Sequence, residues 1–147
     1  MRKTFIYIVT MAVAALFALS ELNAQTAKGT VKNISTEEFC KKVYDINADA
    51  LKYLGDKPAI VDFYADWCGP CRAIAPTLQE LAAKYGDKII IYKVNIDKDP
   101  DLAYAFGIKS IPAVMYIPVK GEPKMTVGGR DKAKFETEIK TYLTPHE

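Results

Sequence analysis

The chain has 147 residues, which is enough for one domain and too few for a TIM barrel or for two sizeable cores. Half of the residues are hydrophobic and 26% are charged, as in ordinary globular proteins, and 20 basic against 18 acidic residues give a net charge of +2. This near balance offers no electrostatic basis for binding nucleic acid. Three cysteines are too few for a disulfide-stapled mini-protein or a zinc domain with two sites.

The first segment, residues 1–24, has the layout of a secretory signal peptide. Two basic residues precede an uncharged apolar run from Phe5 to Leu19, and the small residue Ala24 follows. We predict cleavage after Ala24 and a single domain over residues 25–147. The run is shorter than the roughly 20 apolar residues of a spanning helix. An uncleaved membrane anchor and a buried helix are the alternatives. Cleavage predicts export to the periplasm, a compartment that permits disulfides.

Helical and strand patterns alternate after a polar leader that ends at Asn33. Ser35 and Glu38 fit a capping box, which opens a helix predicted to end near Gly55, with the polar stretch 45–49 as a place where it could be interrupted. The later patterns predict strands at 59–65, 89–95, 112–117 and 124–127, and helices at 68–85, from Pro100 to Gly107 and from Asp131 onward.

This alternation predicts an α/β fold in which helices cover both faces of a mixed central β-sheet. The apolar residues of the 59–65 run do not alternate with polar ones, which is typical of a strand buried on both faces. The last two strands are separated by a short turn, so they predict a hairpin that adds an antiparallel edge to the sheet.

The motif with chemical potential is Trp67-Cys68-Gly69-Pro70-Cys71, where the buried strand meets the next helix. Its two thiols can close into a disulfide. Cys68 at the helix N-terminus is favoured as a thiolate, which is the attacking species, and Cys71 is then the resolving thiol. A structural zinc site needs about four ligands, and the chain adds only Cys40 and His146. A purely structural disulfide closing so short a loop removes little unfolded-state entropy. A redox dithiol is therefore favoured.

The chain is similar to the thioredoxin family over nearly all of residues 25–147. The resemblance is carried by the dithiol motif and by Val61-Asp62-Phe63-Tyr64-Ala65-Asp66, Ala75-Pro76, Lys93-Val94-Asn95-Ile96-Asp97 and Gly107-Ile108-Lys109-Ser110-Ile111-Pro112. It implies the thioredoxin fold, dithiol–disulfide exchange with no cofactor or metal beyond the Cys68–Cys71 disulfide, and a cis peptide bond before Pro112.

The resemblance also implies roles for other residues. Asp62 would take the proton of the Cys71 thiol during resolution, with a pKa raised by burial, and Lys93 would lower that pKa somewhat. The alternatives are a solvent-facing Asp62 at a strand edge and a Lys93 whose ammonium group reaches solvent. Pro112 would present neighbouring backbone to an extended substrate. A shallow apolar groove for partner proteins would be lined by Trp67, Gly69, Pro70, Ile111, Val127, Gly128 and Gly129.

We therefore predict an exported, monomeric thioredoxin-type protein-disulfide reductase. Its substrates would be disulfide-containing proteins, and a membrane protein would supply dithiol electrons. The alternatives are an exported disulfide oxidant or isomerase, a chaperone-like binding module with incidental redox activity, and a cytosolic thioredoxin with a misread N-terminus. Cys40 is expected to be a small buried apolar residue, and His146 to lie in solvent at the chain end.

Overall fold

The computed structural model describes residues 29–143. The predicted signal peptide, residues 1–24, and His146 lie outside this range, so both remain predictions from the sequence. Within the range, none of the helices is both long enough and apolar enough to cross a membrane.

Strands and helices alternate along the described chain, except that two strands follow each other before the last helix. The strands are β1 (Val31–Asn33), β2 (Ala59–Tyr64), β3 (Ile90–Asn95), β4 (Ala113–Ile117) and β5 (Lys124–Val127). The helices are α1 (Thr36–Lys42), α2 (Gly69–Tyr85), α3 (Pro100–Ala105) and α4 (Lys132–Leu143). Apart from β1 and the length of α1, this is the predicted order.

The polar leader predicted up to Asn33 ends in a strand. β1 has three residues with mostly exposed side chains, and it pairs in parallel with β3, where Val31 lies opposite Ile91. No alternation of apolar and polar residues marks this strand. Its position depends on backbone hydrogen bonds to a partner far along the chain, which local sequence does not encode.

The first helix begins as predicted but ends early. The Ser35 hydroxyl accepts the Glu38 N–H at 3.3 Å, and the Glu38 carboxylate accepts the Ser35 N–H at 3.5 Å, so the capping box is confirmed. The predicted extension to near Gly55 is wrong, because α1 ends at Lys42. The Asp45 carboxylate then accepts a backbone N–H two residues on, and such a local bond competes with helix propagation.

The sheet has the strand order β1-β3-β2-β4-β5. β2 and β3 run parallel, whereas β4 is antiparallel to β2 and to β5, so the predicted mixed sheet is confirmed. Because β4 runs against β2, the end of β2 lies beside the start of β4, with Phe63 opposite Ala113. The segment after β2 and the segment before β4 therefore meet at the same end of the sheet.

Two apolar layers hold the helices on opposite faces of the sheet, as predicted. One layer joins α1 and α3 to Val61 and Phe63 of β2, and the other joins α2 and α4 to Ile60. Phe39 of α1 and Phe135 of α4 are fully buried. Burial of each stabilises the fold by roughly 2–3 kcal/mol.

Candidate active site

The dithiol lies where β2 leads into α2. Cys68 is the N-cap of α2 with extended backbone, and Cys71 lies in the first turn. The two form a disulfide, and their Cα atoms are 5.3 Å apart. Cys68 is 4% exposed and Cys71 is 1% exposed, so the N-cap cysteine is the more accessible residue of the two.

The end of α2 provides a favourable environment for a negative charge on Cys68. The Cys71 N–H donates to the Cys68 Sγ at 3.2 Å. α2 has 17 residues, and its unpaired N–H groups and macrodipole concentrate positive potential at this terminus. Once the disulfide is reduced, this arrangement stabilises the Cys68 thiolate relative to the thiol.

Asp62 lies in the middle of β2 and is fully buried. Val114 is its cross-strand partner in β4, on the sheet face that α2 covers. Neither carboxylate oxygen has a hydrogen-bond partner within residues 29–143. Burial raises the pKa of Asp62 from 3.8 to about 6, and the nearby charges of Lys93 and Arg130 oppose that rise. A solvent-facing position at a strand edge is thereby excluded, and the carboxylate can exchange a proton near neutral pH.

Lys93 is the cross-strand partner of Asp62 in β3. Its Nζ atom lies 3.8 Å from the Asp62 Oδ2 atom and 3.9 Å from the centre of the Tyr64 ring, and its side chain is 15% exposed. The ammonium group is therefore held between a carboxylate and an aromatic face and does not extend freely into solvent.

The segment before β4 completes the surroundings of the dithiol. The Ile111–Pro112 peptide bond is cis, as the family resemblance implies. Ile111 packs against the cluster formed by Cys68 and Cys71. Pro112 is buried, and its carbonyl accepts the Gly128 N–H at 2.8 Å.

The other residues predicted for the groove lie around this centre. Trp67 is 68% exposed, and its indole N–H donates to the Asp97 carboxylate at 2.8 Å. Gly69 and Pro70 are exposed on the first turn of α2. The β5–α4 loop approaches that turn, since a Cβ atom on Gly129 would lie 4.0 Å from the Cβ of Pro70. The structure thus places the loop, the cis proline segment and the dithiol side by side.

Sequence reasoning missed three polar residues near this site. Asp97 orients the indole of Trp67, and a buried ion pair joins Arg130 of the β5–α4 loop to Glu138 of α4. A signal for Glu138 exists, because it stands three residues after Phe135 and one before Ile139. It therefore falls on the apolar face of α4.

The third cysteine, Cys40, lies outside the dithiol cluster. Cys40 is a free, partly exposed thiol on α1, so the expected burial is only partial. Over residues 29–143, no group of three or more His, Cys, Asp or Glu side chains is placed to hold a metal ion.

Comparisons with known proteins agree with this geometry. The family model for thioredoxin matches residues 30–141. The thioredoxin of Borreliella burgdorferi is 42% identical over 112 residues, which are 76% of this chain and 96% of that protein. The M-type chloroplast thioredoxin of Spinacia oleracea is 38% identical over 111 residues, covering 74% of this chain and 61% of that protein.

Solved structures show the same similarity. Chloroplastic thioredoxin z superimposes with a TM-score of 0.66 at 26% identity, over 77% of this chain and 94% of that one. The thioredoxin of Malassezia sympodialis gives a TM-score of 0.64 at 29% identity, over 79% and 93% of the two chains.

Proposed function

The chain belongs to the thioredoxin family, and from that premise we propose that it reduces disulfides of exported proteins with Cys68 as the attacking thiol. Its fold is the thioredoxin fold, and it is a protein-disulfide reductase that works through its Cys68–Cys71 pair. Thioredoxins use this pair without a cofactor. The observation that carries the proposal is the position of Cys68 at the N-terminus of α2.

The proposed reaction begins with the reduced protein. The Cys68 thiolate attacks one sulfur of the substrate disulfide, whose S–S bond breaks, and the leaving thiolate takes up a proton from water. Cys71 then gives its proton to Asp62, directly or through a water, and its thiolate attacks the Cys68 sulfur. The bond between Cys68 and the substrate breaks, and the second substrate sulfur leaves as a thiolate that takes up a proton from water. Two electrons have then passed to the substrate, and the protein holds the Cys68–Cys71 disulfide.

We propose that substrates bind as extended segments in the groove around the dithiol. The exposed ring of Trp67 supplies a flat apolar contact, and its orientation by Asp97 supports that role. On the other side Ile111 packs against the cysteine pair, the cis Pro112 follows it, and Gly128 bonds to the Pro112 carbonyl, while Gly69 and Pro70 are exposed. Proteins whose disulfides lie in extended or unfolded segments are the substrate class that such a shallow surface accommodates.

The export proposal depends on the sequence pattern of residues 1–24. A reductase outside the cytosol needs electrons, so the proposal includes a membrane protein that delivers them from a dithiol. Fractionation and N-terminal sequencing of the mature protein test the location. A mature chain beginning near Gln25 outside the cytosol supports export, and a cytosolic chain beginning at Met1 contradicts it.

The direction of electron flow is tested by the equilibrium with glutathione. We expect a reduction potential near the roughly −270 mV that is typical of thioredoxins, because a Gly-Pro pair separates the cysteines as in reducing family members. Mass spectrometry of alkylated samples across a range of glutathione ratios gives the potential. A value above about −200 mV would favour a disulfide oxidant or isomerase instead.

A further inference from the structure

Near the dithiol, the β5–α4 loop has two consecutive glycines, whose missing side chains cannot fix its conformation by packing. Gly128 and Gly129 have no side chains, and Gly128 has a φ of 98°, in the left-handed region that favours glycine. Both backbone polar groups of Gly128 are hydrogen-bonded. Its N–H donates to the Pro112 carbonyl at 2.8 Å, and its carbonyl accepts two hydrogen bonds from the side chain of Arg130.

Arg130 makes these contacts from a buried position, its side chain being 1% exposed. Its Nε and Nη2 atoms donate to the Gly128 carbonyl at 3.1 Å and 2.7 Å. Its Nη1 atom donates to the Thr126 hydroxyl and, at 3.3 Å, to the Glu138 carboxylate. The guanidinium carbon also lies 5.4 Å from the centre of the Phe135 ring. The rigid fork of an arginine can make such paired bonds to one carbonyl, whereas the single ammonium of a lysine cannot.

The far side of this network is anchored in the sheet. The Tyr116 hydroxyl, in β4, donates to the Glu138 carboxylate at 2.5 Å. Burial raises the pKa of Tyr116, which keeps that hydroxyl protonated as a donor. Glu138 is thereby fixed between β4 and Arg130, so the guanidinium group has a defined position relative to the strand that follows Pro112.

We propose that Arg130 is a positioning residue that sets the backbone of Gly128 for polypeptide substrates and thereby favours them over small disulfides. The inference rests on the proposed function. In the proposed groove an extended substrate segment lies against the loop backbone at Gly128, whereas a small disulfide need only reach the Cys68 sulfur. Loss of the contact between Arg130 and Gly128 therefore penalises the larger substrate selectively.

The experiment measures second-order rate constants of the pre-reduced protein by stopped flow. One substrate is a peptide closed by a disulfide, and the other is hydroxyethyl disulfide. We expect Arg130→Lys and Arg130→Leu to slow the peptide reaction by about 5- to 10-fold, the effect of losing a charge-assisted contact, and to change the small-disulfide rate by less than about twofold. Lys132→Leu removes a neighbouring cation that pairs with the exposed Glu80 and makes no contact with this network, so it should keep the wild-type ratio.

Each outcome has a defined meaning. The inference is overturned if folded Arg130→Lys retains the wild-type ratio, because the lysine keeps the charge but not the paired bonds. It is also overturned if both substrates slow equally, which indicates a general structural defect. If Arg130→Leu does not fold because Glu138 is left unpaired, the double variant with Glu138→Leu replaces it. A wild type that reacts with neither substrate would contradict the proposed function itself.

Discussion

Cys68→Ser is expected to reduce insulin disulfides at least about a thousandfold more slowly than the wild type, because a neutral hydroxyl replaces the thiolate nucleophile. The measurement is the precipitation of the insulin B chain with dithiothreitol as electron donor, corrected for the donor alone. Cys71→Ser should instead accumulate a mixed disulfide between Cys68 and its substrate, since the resolving thiol is missing. Trapping that species also identifies physiological partners.

Cys40→Ser is the matched control for these variants. Cys40 is a partly exposed thiol on α1, outside the dithiol cluster, so its loss should leave insulin reduction at the wild-type rate. Undiminished reduction by Cys68→Ser would end the proposal that Cys68 attacks substrates. If the wild type prevents aggregation of unfolded proteins and Cys68→Ser does so equally well, the binding-module alternative gains direct support.

Asp62→Asn is expected to slow resolution of the mixed disulfide by about a hundredfold, because the amide cannot accept the Cys71 proton. The reaction of the reduced protein with a fluorescent peptide disulfide separates the two steps, as attack and release give distinct signals. Attack by Cys68 should keep its rate in this variant. Equal slowing of both steps would contradict a role for Asp62 in resolution.

The same carboxyl group predicts how the stability of the oxidised protein depends on pH. Its folded pKa of about 6 lies above the ordinary 3.8, so the folded state binds the proton more tightly than the unfolded state. The contribution of Asp62 to stability is therefore full below about pH 4 and declines as pH rises through about 6. The difference corresponds to about 3 kcal/mol by pH 8, at 1.36 kcal/mol for each tenfold change in proton affinity.

Urea unfolding of the oxidised protein between pH 4 and pH 8 tests this linkage. Asp62→Asn should lose the decline, whereas Asp66→Asn, which changes an exposed carboxylate beside the dithiol, should keep it. Lys93→Met should move the pH at which stability declines upward. The reason is that the Lys93 ammonium, 3.8 Å from the Asp62 carboxylate, favours its ionised form. A difference in the free energy of unfolding between wild type and Asp62→Asn that stays constant over this range would refute the burial argument.

Sequence patterns predicted the features that local chemistry encodes. The unbroken apolar run of β2 indicated a central strand. The capping box at Ser35 likewise marked the start of α1. In these cases neighbouring residues alone determine the environment, so periodicity and spacing were sufficient.

Features that depend on distant partners escaped prediction. The indole of Trp67 bonds to a residue 30 positions away, and the Tyr116 hydroxyl to one 22 positions away. β1 forms only because β3 offers it a free edge. In the sequence Arg130 has the pattern of an ordinary loop residue, because its contacts with Phe135 and Glu138 form only in the folded structure.

The antiparallel pairing of β2 with β4 has a consequence for how the protein can diverge. Phe63 lies opposite Ala113, so the backbone ladder sets the spacing between the dithiol segment and the proline segment. Exposed groove side chains such as Trp67 and Val127 lie outside that ladder and can change without altering the spacing. Partner choice can therefore evolve or be engineered by surface substitution while the distance available for sulfur exchange stays constant.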